Sequence, residues 1–320
     1  MVTNIEKFYR TSDISVCSKL WHVLTEMSDA RGVTSSFNFR MVYSAIFNFQ
    51  PFFIYDNLSN PNIIVPLCSN GFEYDWFGTH ELDFPPLLIN QVSSDDFLSL
   101  LQDLNINQTL PNVGQDLLLD LQKQSLVETF SKVGTRVLVS LPSNIVGHSH
   151  WSQRNIVRST NAVNNLMGEW KVYTDPTIDQ IHSVLNDSVS MFTERNRISK
   201  FSLDSKRKKY VDLFMSDIHG VISVVGTYVI KGEVAIQFLS HIYKKSATVS
   251  VIALNTKHEA SKCILQHGFK YSIATLPNLL HDYFGITEVD YQGGNHSWKQ
   301  EVSSHCQSPQ FNVKLRNDNL

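Results

Sequence analysis

Glycine is sparse in this chain, and nowhere do two glycines flank a single residue. The 320 residues hold 14 glycines and contain no Gly-x-Gly. That absence excludes a dinucleotide fingerprint, and no glycines stand at the spacing of a Walker loop or a G-x-S-x-G elbow. Cysteine is scarce as well. Cys17, Cys68, Cys263 and Cys306 are scattered, with no C-x-x-C pair and no histidine at ligand spacing beside them. Neither a disulfide scaffold nor a zinc site is expected, and a reducing cytoplasm suits such a chain. No apolar run approaches the roughly 20 residues of a membrane span. Met1–Arg10 lacks the basic-then-apolar order of a secretory leader. The reading is a cytoplasmic protein, with peripheral contact at the inner face of the membrane left open. Charge of one sign is also missing: 27 Lys and Arg stand against 30 Asp and Glu, net -3. No global basic field calls for DNA.

What is present is a globular balance, 42% hydrophobic and 18% charged. The length suits one large or two medium domains. Ser12 or Asp13 is expected to cap a helix through Met27. Pro51–Asp56 and Ile63–Leu67, joined by turn-forming Asn57–Asn62, predict a β-hairpin. A strand follows near Tyr74–Phe77, a helix starts at Ser94–Asp96, and Arg136–Leu141 predicts another strand. In the second half, helices are expected over His150–Met167, from Asp175-Pro176 with proline at the first helical position, and over Asp204–Ile218. Val221–Ile230 and Glu233–Tyr243 read as strands around a tight Lys231-Gly232 turn, and Ala247–Leu254 as a third strand. Lys257–Gln266 reads as a helix with Gly268 just past its end, and Leu276–Phe284 as a second short helix. Each half thus runs helices, antiparallel meander, helix, strand. The fold class is α+β, in two units that are each a mostly antiparallel mixed sheet flanked by helices. The expected units are 1–145 and 146–302, with 303–320 as a polar, frayed tail.

Several residues invite a chemical reading. Asp290 is an acid in an apolar strand next to the Gly293-Gly294 turn, and is either a base or amine ligand, or a solvated edge residue. Glu233, Gln237 and His241 alternate on one strand face, lining a cleft or facing water. Arg154 and Arg158, one helical turn apart, form an anion grip or a solvated pair. Lys299, after Trp298, attracts donor phosphates or is solvated. The Lys206–Lys209 run binds anionic lipid headgroups or a tRNA backbone, or keeps the helix soluble. Glu194–Arg197 reads as structural, suiting a helix end. The His148-Ser-His150 pair lacks a third ligand, so no metal is expected.

Three segments carry a family resemblance. They are Phe52–Asp56…Ile63–Leu67 with Trp76-Phe77-Gly78 and Asp83-Phe84; Ser152–Arg158; and Gly285…Val289-Asp290-Tyr291…Gly293-Gly294…Trp298-Lys299. The chain resembles the two-domain branch of the GNAT superfamily, which includes CelD-like acetyltransferases and FemAB-type peptidyltransferases. Trp298 stands where that pattern has tyrosine, and the family's Gly-rich pyrophosphate loop is missing. The resemblance implies an N-acyltransferase. It implies transfer of an acetyl or related group from acyl-CoA to an amine, on a small molecule such as a sugar or on a cell-envelope precursor. Its donor site would involve Leu254, Asn255, Gly268, Phe269 and Lys270. The catalytic acids would be Asp290 and Glu233. The acceptor side would draw on Arg154, Arg158, Gln237, Gly293, Gly294, Trp298 and Lys299. Two other outcomes stay open. One is a non-catalytic relative that binds a partner or a membrane surface, in envelope stress or antimicrobial-peptide resistance. The other is a FemAB-type transferase using aminoacyl-tRNA. Oligomeric state is not legible.

Overall fold

A computed structural model describes residues 8–28, 32–78, 84–90, 92–106, 108–141, 150–292, 299 and 306–316. The chain forms two compact units. Unit 1 holds Met1–Thr135, Gly293–Asn295 and Ser308–Leu320; unit 2 holds Arg136–Gln292 and His296–Gln307.

Unit 1 opens with β1 (Tyr9–Thr11) and α1 (Ile14–Met27). Asp13, of the two expected caps, closes the helix start by accepting from the Ser15 and Val16 N–H groups. Helix α2 (Phe37–Ile46) follows. The predicted hairpin is β2 (Gln50–Tyr55) against β3 (Ile63–Ser69), with Phe52 opposite Leu67. Its turn is fastened by the Asp56 carboxylate, which accepts from the Asn62 and Ile63 N–H groups. β4 (Tyr74–Trp76) and β5 (Leu88–Ile89) also pair with β3. Helix α3 (Ser94–Asp103) is capped by Ser93. β6 (Thr109–Gly114), α4 (Gln115–Lys123) and β7 (Val127–Ser140) complete this run. β7 passes from unit 1 into unit 2 between Thr135 and Arg136. The expected boundary at 145/146 lies outside the described residues; the division at Thr135–Arg136 falls within a continuous strand.

Unit 2 contains α5 (His150–Asn164), β8 (Glu169–Thr174), α6 (Ile178–Glu194), α7 (Asp204–Met215), β9 (Val221–Ile230), β10 (Glu233–Tyr243), β11 (Ser246–Leu254), α8 (Ser261–Cys263), α9 (Phe269–Phe284) and β12 (Glu288–Asp290). Thr177, not Asp175, caps α6 through a capping box with Gln180, which leaves Pro176 outside the helix. Lys231 and Gly232 both have positive φ, as a two-residue hairpin of this twist requires. The end of β7 pairs with β12, and the order continues β12-β11-β10-β9-β8. Every pairing there is antiparallel except β11 with β12, which is parallel. Val225, Leu239, Val251 and Ala253 pack beneath α6 and α7. Val224, Tyr228, Ile236, Phe238 and Leu254 point the other way, toward α5 and α9. Both faces of these strands are therefore covered, which is why they read as near-continuous apolar runs.

Two expectations fail here. The helices expected at 257–266 and 276–284 are one helical run, with a π turn at Ile264–Gly268 joining α8 to α9. Gly268 has helical φ and terminates nothing. A Cβ there would lie 3.1 Å from Leu254 Cδ2 and 3.3 Å from Ile236 Cδ1, so the glycine serves close approach of helix to sheet. The tail is not frayed throughout: β13 (Gln307–Leu315) returns to unit 1 and pairs antiparallel with β6, burying Val313 and Leu315.

Candidate functional site

The parallel pair in unit 2 is short. Ser246, Ala247 and Thr248 face Glu288, Val289 and Asp290, and there β12 ends. β11 runs on through Val249–Leu254, and among the described residues no strand pairs with this stretch on the β12 side. The register between β10 and β11 also breaks here. Leu239 faces Val251 and Ser240 faces Val249, so Ser250 is a bulged residue opposite no partner on β10. A bulge turns backbone groups out of the ladder, and a strand edge offers a row of N–H and C=O groups. Gln292 reaches across the parting, its Nε2 donating to Ser250 Oγ at 3.4 Å.

The loop that leaves β11 is closed on itself. Asn255 donates its N–H to Ala235 O and its Nδ2 to Val234 O, while its Oδ1 accepts from the Lys257 N–H. His258 Nδ1 accepts from the Ala260 N–H at 3.0 Å. Glu259 is engaged with Lys231 at 2.8 Å. Two of the loop's N–H groups are thus already bonded to side chains, and a carboxylate stands among them.

The acids differ in setting. Asp290 is fully buried and forms a two-pronged pair with Arg136, at 2.7 Å to Nη2 and 3.2 Å to Nε. It also accepts from the Gln292 N–H at 2.7 Å. The arrangement fixes the end of β12 where the strands part. Glu233 is exposed at the start of β10, apart from this parting. Lys299 is buried and donates to the Tyr291 and Gln292 carbonyl oxygens, so its ammonium ties down the segment after β12 instead of meeting solvent. Gly293, Gly294 and Trp298 lie outside the described residues, as does His148.

The face expected to carry Gln237 and His241 is covered, not solvated. Gln237 Nε2 donates to Asp187 Oδ2 at 2.7 Å and to Ser183 Oγ at 3.1 Å on α6. Burial pushes the Asp187 carboxyl up, against the opposing pull of Gln237 and the Lys257 cation. His241 lies wholly buried with its ring against Phe214, centroids 4.0 Å apart. Sequence reasoning missed Asp187 because its partner sits on a strand 50 residues away. It also missed Arg136 and Ser250.

A third group lies along α5. Gln153, Arg154, Val157, Arg158 and Asn161 line a groove of about 670 Å³. Close by, His267 on the π turn meets Ser159 Oγ at 3.1 Å. Its pKa is lowered by burial and then by the Arg158 and Lys270 cations. The structure therefore gathers Arg154, Arg158 and Lys270 on one side of the sheet. Phe269 is half-buried beside them, while Gly268 and Leu254 are core residues and Asn255 braces the loop.

No protein family matches the sequence, and no curated protein is significantly similar to it. Likeness appears in three dimensions. The L-PGS of Bacillus licheniformis matches with a TM-score of 0.53 at 9% identity, over 94% of this chain and 92% of that one. A tandem GNAT protein from the clavulanic acid biosynthesis pathway matches at 0.53 and 10% identity, over 97% of this chain and 99% of that one. FemX matches at 0.54 and 7% identity, over 97% and 98%. The chain therefore has the mixed α+β GNAT fold that its sequence suggested.

Proposed function

We propose that unit 2 is an acyltransferase module that moves an acetyl or related acyl group from acyl-CoA to an amine. The observation that carries this reading is the parting of β11 from β12 with the bulge at Ser250. An extended acyl-bearing arm can lie along Val249–Leu254 as a strand would, on the edge that no described strand occupies. A backbone N–H turned out by the bulge then donates to the thioester oxygen as it becomes an oxyanion. The amine nitrogen attacks the carbonyl carbon, the C–S bond breaks, and the thiolate leaves with the proton that the ammonium gives up. Proximity supplies most of the acceleration, and no covalent enzyme intermediate is needed. The self-bonded loop after β11 makes a poor phosphate cradle, so the donor's anionic end is assigned to Arg154, Arg158 and Lys270. The acceptor class, a small-molecule amine or a cell-envelope precursor, follows from the family likeness alone.

The same loop favours a second reading, an aminoacyl-tRNA donor, which would bring no pyrophosphate to that loop. FemX and the L-PGS share this fold, and the basic groove would then follow an RNA backbone. Calorimetric titration separates the two. Acetyl-CoA binding tighter than about 100 μM, about -5.5 kcal/mol, that is weakened by Arg154→Ala with Arg158→Ala, supports the first reading. Absence of CoA binding, with deacylated tRNA bound in a steeply salt-dependent way, replaces it with the second. Binding of neither ends both.

A further inference from the structure

The connection between α6 and α7 inverts the usual placement of apolar side chains. It runs from Arg195 to Leu203 and contains a 3₁₀ turn at Lys200–Ser202. Phe201 is buried against Tyr210 in the core beneath α6, at a ring distance of 4.7 Å. Lys200 donates to the Tyr210 hydroxyl at 2.7 Å, and Ser199 caps the turn by accepting from the Phe201 N–H. The segment is thus anchored from inside. On either side of that anchor, Ile198 is 90% exposed and Leu203 is 63% exposed. Two aliphatic side chains are held out in water by a built turn, which single scattered surface residues are not.

Charge surrounds them. Residues 194–209 contain seven Lys or Arg and two acids, in a chain whose net charge is -3. Arg197 and Lys208 are exposed, while Arg195 is tied to Leu265 O at 3.0 Å and Arg207 to Asn186. We infer that this connection docks unit 2 on an anionic phospholipid bilayer, with Ile198 and Leu203 entering the headgroup–acyl boundary and the cations meeting lipid phosphates. Exposed aliphatic tips flanked along the chain by cations match a surface that is anionic outside and apolar just beneath. A nucleic acid would meet the cations but has no use for exposed aliphatic tips, since bases stack on aromatic rings and here Phe201 and Tyr210 face inward. The inference is independent of the acyl-transfer reading.

Vesicle flotation of the full chain tests it. Phosphatidylcholine vesicles and phosphatidylcholine–phosphatidylglycerol vesicles are compared at low and raised salt. The protein should float with the anionic vesicles only, and raised salt should weaken the association. Ile198→Ser with Leu203→Ser changes exposed side chains and places a better cap before α7. It should weaken binding by about tenfold. Arg197→Glu with Lys208→Glu should remove the preference for anionic lipid. Equal behaviour on the two vesicle types, or unchanged binding by the Ile198/Leu203 variant, overturns the proposal. So does binding of a single-stranded RNA oligonucleotide without vesicle binding, which would mark a nucleic-acid surface instead.

Discussion

Asp290 illustrates what one residue can and cannot disclose. An acid in an apolar strand is legible as an exception; its partner, Arg136, lies 154 residues earlier and is invisible without the sheet order. Because the pair is largely buried, removing one member takes two charge-assisted hydrogen bonds from the other. Asp290→Asn should therefore lower unfolding stability by about 3 kcal/mol, while Arg136→Met with Asp290→Leu recovers most of it. Denaturant titration reads this directly. A general base would behave otherwise, losing activity at unchanged stability. His241 makes a second residue-scale prediction. Burial lowers its pKa from 6.5 to about 3. The folded chain keeps the ring neutral while the unfolded chain protonates it below pH 6.5. Its contribution to stability is complete above that pH and is lost on acidification toward pH 3, by up to about 1.4 kcal/mol per pH unit. His241→Phe should flatten that part of a stability–pH curve, and an unaltered slope would assign the acid sensitivity to other groups.

Elements were legible where turn residues bounded a run. β9, β10 and β11 are largely apolar runs bounded by turn residues, and their bounds match the residues expected within a position or so. The α8–α9 run was misread because Gly268 looks like punctuation, while its packing against Leu254 and Ile236 overrides that signal. The bulge at Ser250 left no trace in the sequence, since a bulge is a property of two strands in register and not of one. The same interlock governs β9. A Cβ on Gly226 would fall 1.9 Å from Phe238 Cε1 on β10. Gly226→Ala should cost about 2 kcal/mol through overpacking. Phe238→Leu vacates that space, so the double variant should be more stable than the sum of the two single losses implies. Strict additivity in thermal melts would mean that the ring moves aside freely.

At the scale of the whole molecule, the chain leaves unit 1 through β7 and comes back to it as β13. Polar composition near the C-terminus concealed this return, because only Phe311, Val313 and Leu315 on alternate positions mark the strand. Val313 and Leu315 are fully buried among Leu110, Val113 and Leu121. Arg316 adds a brace by donating its N–H to Leu126 O and its Nη1 to Ser125 O. Deleting everything after Cys306 should consequently injure the unit that the first residues build. The lost burial of two large aliphatic side chains is worth about 1.5–3 kcal/mol each, before the β6 ladder is counted. Native-state hydrogen exchange of the truncated chain should show β6 and α4 amides deprotected while β9, β10 and β11 keep their protection. Val313→Ser with Leu315→Ser offers the same test without shortening the chain, and leaves the exposed Lys314 and the half-buried Arg316 in place. Loss of protection in unit 2 instead would mean that the two units unfold as one cooperative body, and that β7 transmits the damage across Thr135–Arg136.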